Sequence, residues 1–214
     1  MMDQIRDSED AELCKGILGI VCVVHRPITL DELGSLANLP VTGDYEALSE
    51  IVGLCGSFLT LRERTISFVH QSAKDFLAKN AYNEIYPSGV EYVHHTIFSQ
   101  SLLVMSKILE RDIYRLGAPG FSIEQIVQPK PDPLSAARYS CLYWIDHLLD
   151  CDPARKATKD LQHDELMHNF LRRSFLYWLE ALSLCRAIAK GVFAMTRLEA
   201  LVEVSFGLNG NPIA

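Results

Sequence analysis

Apolar positions fall into two regimes along the chain. From residue 8 to 80, short helical patterns are interrupted by one alternating stretch. From 88 to 206 the pattern is helical throughout. Leu13, Ile17, Ile20, Val21 and Val24 recur at three- and four-residue steps, which predicts a helix with one buried face. Pro27 is expected to end it, because its ring removes a backbone donor. Thr29 with Glu32 three residues later forms a capping box for a short helix from Leu30 to Asn38. Asp44 is expected to cap a third helix reaching Leu54, with Leu48, Ile51 and Val52 inward. The runs Ser57–Leu61 and Thr65–Val69 alternate around Arg62-Glu63-Arg64 and read as a β-hairpin whose turn lacks glycine. His70–Ala78 then resumes a helical pattern. Helix, helix, helix, hairpin is the order of a winged helix.

The second regime opens after Pro87-Ser88-Gly89. Val90, Val93, Ile97, Val104 and Ile108 share one face, and Phe98, Leu102, Met105 and Leu109 a neighbouring one, so this helix should touch partners on two sides. Gly117 to Pro133 is rich in Gly and Pro and reads as loop. Three further helices follow: one carries Ala137, Cys141, Trp144 and Leu148, the next Leu171, Phe175, Trp178, Leu182 and Cys185, and the last runs from Ala189 to Val204. The fold class is therefore mainly α: a winged helix of three helices plus a hairpin (8–80), then an α-helical, solenoid-like domain (88–206).

Composition narrows the function. The 214 residues carry 20 Lys+Arg against 27 Asp+Glu, a formal charge of −7, which argues against a basic nucleic-acid face. The third helix makes the point locally, with Asp44, Glu46 and Glu50 where a duplex would present phosphates. No apolar run is long enough for a transmembrane helix. The cysteines (14, 22, 55, 141, 151 and 185) show no C-x-x-C pair and sit mostly in apolar stretches, so a cytoplasmic chain with free thiols is expected.

Chemistry is sparse. Phosphate-loop, G-x-S-x-G and H-E-x-x-H signatures are absent. His70, Ser72 and Asp75 crowd into one helix start, whereas a catalytic triad draws its members from separate elements. His163, Asp164, Glu165 and His168 are spaced poorly for one metal ion. His94 and His95 read as packing or solvent-facing, and His147 as bonding a neighbour's backbone. The two tryptophan stripes read as core. No catalytic and no metal site is expected. His70, at the exit from the hairpin, is the single histidine raised above this background. Composition alone makes it a helix-start residue satisfying a nearby backbone group.

Several blocks carry a family resemblance. Glu12-Leu13-Cys14 through Arg26-Pro27-Ile28-Thr29-Leu30, Cys55-Gly56-Ser57-Phe58-Leu59, Phe68-Val69-His70-Gln71-Ser72, Tyr143-Trp144 with Asp146-His147-Leu148, and Phe175-Leu176-Tyr177-Trp178 occur in one order. Together they resemble the winged-helix and helical segment of fungal NACHT-type NTPases, NLR-like proteins whose winged helix is named after GPI inositol-deacylase. The resemblance implies a non-enzymatic regulatory module. Its partners would be a NACHT ATPase module, in cis or in trans, and WD40 or ankyrin sensor repeats, with no nucleic acid and no membrane. It also implies that His70 contacts ADP when a NACHT module is present. Related switch proteins carry Met-His-Asp where this chain has Val69-His70-Gln71. The chain itself should hold no cofactor; ADP or ATP belongs to the parent protein. A free-standing protein-interaction adaptor and a nucleic-acid-binding winged helix are the alternatives, the latter disfavoured by the acidic third helix.

Overall fold

The computed structural model describes residues 2–37, 45–117, 120–151 and 165–205. Two apolar cores lie side by side. The first gathers α1 (Met2–Arg6), α2 (Ala11–Val23), α3 (Leu30–Leu36) and α4 (Tyr45–Leu54) around a small sheet. In α2 the run Ile17, Leu18, Ile20, Val21 is buried, as its spacing predicts. Gly19 lets α6 approach, since a Cβ there would lie 3.3 Å from the Ile85 carbonyl oxygen. The helix stops at Val23, ahead of Pro27: Val24 is already extended, and the His25 N–H turns away to Tyr139 Oη at 3.1 Å. The chain has thus left the helix within the turn before the proline.

The Thr29/Glu32 capping box forms as expected. Glu32 accepts from the Thr29 N–H at 2.9 Å and also takes a two-pronged ion pair from Arg26 (2.6 and 3.0 Å). The α3 helix ends at Leu36 with Ala37 as its cap; Asn38 and the proposed cap Asp44 lie outside the described residues.

The hairpin is β2 (Leu59–Arg62) with β3 (Thr65–Phe68). A third strand, β1 (Ile28–Thr29), joins on the far side of β3, so the sheet is antiparallel with order β1-β3-β2. The wing turn is Glu63-Arg64, both left-handed (φ 48° and 69°), which is the mirror-image geometry a two-residue hairpin prefers, built here without glycine. Helices α5 (Gln71–Asn80) and α6 (Tyr82–Ile85) return to the first core, with Ala73, Leu77 and Ile85 buried. The polar N-terminal stretch also contributes: Met2 and Ile5 are buried in the same core.

Helix α7 (Val90–Ile108) belongs to both cores, but its division runs along its length. Val90, Val93 and Ile97 pack on the first core; Phe98, Leu102, Val104, Met105 and Ile108 pack on the second. The second core is completed by α8 (Arg138–Asp150), α9 (Glu165–Leu184) and α10 (Ile188–Ser205). Trp144 is its centre, with Phe98 at 6.2 Å and edge-on contacts to Phe170 (5.6 Å) and Trp178 (5.9 Å). The Trp178 indole N–H is satisfied by the Cys141 carbonyl at 2.9 Å. Gly191 lets α10 close on α9, because a Cβ there would collide with Leu182. Since α9 packs on α7 as well as on α8, these helices enclose one core rather than touching only their sequence neighbours.

Candidate functional site

His70 stands where β3 passes into α5. Its backbone is extended and it is the N-cap of α5. Imidazole Nδ1 lies 3.2 Å from the Ser72 backbone N and 2.9 Å from Ser72 Oγ, so it acts as the acceptor for the helix start. A ring whose Nδ1 accepts carries its proton on Nε2, and Nε2 has no partner among the described residues. The side chain is exposed. Val69 (56% exposed) and Phe76 (41% exposed), either side of it in sequence, leave apolar surface in water, although Phe76 also stacks on Phe58 at 6.1 Å. The result is an exposed residue with one ring nitrogen left as an N–H donor, next in sequence to exposed Val69.

Ser72 touches His70, but Asp75 does not: its carboxylate takes a 3.3 Å hydrogen bond from Gln71. The three side chains thus form a helix cap and a separate surface pair, not a relay. In α4, Glu46 and Glu50 are exposed, so the face a duplex would meet is acidic. Of the His163–His168 group, His163 and Asp164 lie outside the described residues, while Glu165 and His168 are exposed at the start of α9. Among the described residues, no helix is long and apolar enough to cross a membrane, and no group of three or more His, Cys, Asp and Glu is arranged to hold a metal ion.

The structure assembles a second group, which distance in sequence had hidden. His25 from the α2–β1 link, His94 from α7, and Tyr139, His147 and Asp150 from α8 meet between the two cores. His147 is fully buried; its Nε2 lies 2.7 Å from Tyr139 Oη and its Nδ1 2.9 Å from His94 Nδ1. His147 therefore bonds side chains from its own helix and from α7, and not a neighbour's backbone. His94 is drawn inward as well, whereas His95 lies beside Phe98. Asp150 sits 3.4 Å from His25 Nε2 and 3.8 Å from His94 Nδ1.

Burial, and after it the neighbouring His25 and His94, pushes His147 down to about 2. Burial also lowers His94, partly offset by Asp150. Desolvation pushes the Tyr139 phenol up. Arg26 packs its guanidinium over Tyr139 and Tyr143, at 5.3 and 5.9 Å, closing one side of the group. The six cysteines are free thiols. Burial raises Cys14, Cys22, Cys55, Cys141 and Cys185, which keeps them protonated and poor nucleophiles.

Residues 1–86 match the family of the GPI inositol-deacylase winged helix domain. Over 218 aligned residues the chain is 52% identical to vegetative incompatibility protein HET-E-1 of Podospora anserina, a match that spans 94% of this chain and 16% of that relative. No solved structure matches. Residues 1–86 thus resemble a winged helix domain of the GPI inositol-deacylase type, and nearly the whole chain is similar to one segment, about a sixth, of a vegetative incompatibility protein.

Proposed function

We propose that the chain is a non-enzymatic regulatory and interaction module of a cytoplasmic NLR-like NACHT protein, coupling the state of a bound nucleotide to a sensor region. The winged helix, residues 8–80, docks against a NACHT ATPase module, and the helical part, residues 88–206, carries the movement toward WD40 or ankyrin repeats. The observation supporting this reading is the display of His70. One ring nitrogen is used by its own helix, the other is left facing outward beside exposed Val69, and an N–H donor suits a phosphate oxygen of ADP held by the ATPase module. The sequence carries no phosphate-loop signature, and one imidazole does not replace the loop amides, lysine and Mg²⁺ that hold phosphates. Gln71, where related proteins carry aspartate, makes the contact one of hydrogen bonding rather than charge. ADP binding and hydrolysis belong to the partner module.

A lever of this kind needs an arrangement that ADP favours over another. The test is calorimetric titration of the chain into an ADP-loaded NACHT module of a fungal NLR-like protein. Binding is expected with ADP and weakened about tenfold by His70→Ala, the size of one lost hydrogen bond to a charged acceptor. Equal affinity of wild type and His70→Ala, or indifference to the nucleotide, contradicts the reading. Salt-dependent binding to duplex DNA would instead favour the nucleic-acid alternative.

A further inference from the structure

The group between the two cores has a definite hydrogen-bond direction. Tyr139 Oη accepts from the His25 N–H at 3.1 Å, so its own proton must go elsewhere, and His147 Nε2 at 2.7 Å is the acceptor present. The neutral His147 ring then carries its proton on Nδ1, which donates to His94 Nδ1 at 2.9 Å. His94 in turn keeps its proton on Nε2. The chain runs from the α2–β1 link through α8 to α7, and so ties the winged helix to the helical part. With the phenol as donor to Nε2, it closes only while both rings are neutral. A proton added to His94 Nδ1 either sets N–H against N–H at 2.9 Å or shifts the His147 proton to Nε2, which turns it against the phenol O–H and leaves that hydroxyl hydrogen without its acceptor.

We propose that this junction is a proton-sensitive clasp, closed at neutral pH and loosened in mild acid, through which proton concentration changes how firmly the two parts of the chain hold each other.

The charges around it decide the sign. Asp150 favours a proton on His94, and Glu91 on α7 acts the same way. Against them stand burial and the mutual repulsion of three imidazoles with ring centroids 4.8 Å (His25–His147) and 5.0 Å (His94–His147) apart. The remaining charged neighbours are already engaged. Arg26 is held by Glu32 on α3, and Asp146 on α8 pairs with Lys190 and Arg197 of α10. The Lys190 ammonium also sits over the Tyr143 ring at 3.4 Å, adding positive charge to the side of the group. Asp150 is therefore the one carboxylate in direct reach of the rings that no Lys or Arg pairs with among the described residues. Its exposed position weakens its pull, so protonation opens the clasp.

Hydrogen exchange of the His25 amide reads the clasp directly, because that N–H is the first bond of the chain. Corrected for the intrinsic exchange rate, its opening is expected to grow about tenfold or more for each pH unit below about 6.5, the effect of at least one proton taken up on opening. The Leu18 amide inside α2 reads global unfolding, which frees the same rings, so it should follow a similar slope from a higher protection. In His94→Asn the amide oxygen takes the place of Nδ1 as acceptor without titrating, so the slope should fall by about tenfold per pH unit. A His25 amide whose protection is flat with pH, or an unchanged slope in His94→Asn, would overturn the proposal. Imidazole nitrogen NMR of the wild-type chain tests it independently of any variant. At pH 7.5 the expected tautomers are Nδ1–H for His147 and Nε2–H for His94, and a charged ring or the opposite tautomer at either position overturns it.

Discussion

Two histidine sites of this chain differ in what satisfies them. His70 is exposed and turns one ring nitrogen to the first turn of its own helix, so removing its surroundings would hardly disturb it. His147 is fully buried, and both ring nitrogens are held by side chains, one of them from another helix. A local cap with a spare donor is a feature that a partner can use. A buried ring tied across elements holds parts of the same molecule together. The contrast separates a face of the chain that waits for contact from a junction that carries it.

The sharpest way to break this contrast is at the junction's edge. Glu32 is 2% exposed and depends on Arg26 for its charge balance. Arg26→Ala leaves a buried carboxylate and should cost about 3–5 kcal/mol in urea unfolding. Tyr139→Phe removes one hydroxyl and strands both the His25 N–H and His147 Nε2, for an expected loss of about 3 kcal/mol. Acid acts on the same group. With His147 lowered to about 2, the folded chain binds fewer protons than the unfolded one, so stability is greatest above about pH 6.5 and declines as pH falls below it. The decline should reach about 2 kcal/mol by pH 5, measured as unfolding midpoints across that range. His70→Ala, by contrast, should cost only about 0.5–1 kcal/mol, a helix cap's worth. A larger loss at His70 than at Tyr139 would erase the distinction.

The sequence made local features readable and left non-local ones hidden. The buried face of α2, the Thr29/Glu32 box and the hairpin follow from spacing, because the residues that form them are close in the chain. His70 was found for the same reason: its place between strand and helix defines its role as a cap. The two-residue strand Ile28–Thr29 has no period to detect and exists only because β3 is there to pair with it. Met2 and Ile5 are too few to mark a helix among polar neighbours, yet both are buried once α2 is in place. What satisfies the His25 amide just past α2 was equally hidden, since its partner is Tyr139, more than a hundred positions on. The histidine junction was unreadable for the same cause: positions 25, 94, 139, 147 and 150 share no motif and meet only after both cores form.

At the centre of this reading, the chain contributes shape and contact while nucleotide chemistry resides in a partner module. Calorimetry of ADP with the 214-residue chain alone tests this most directly. No saturable heat is expected up to millimolar ADP, with or without Mg²⁺. Binding at micromolar ADP that His70→Ala abolishes would show a complete nucleotide site within the chain and contradict it.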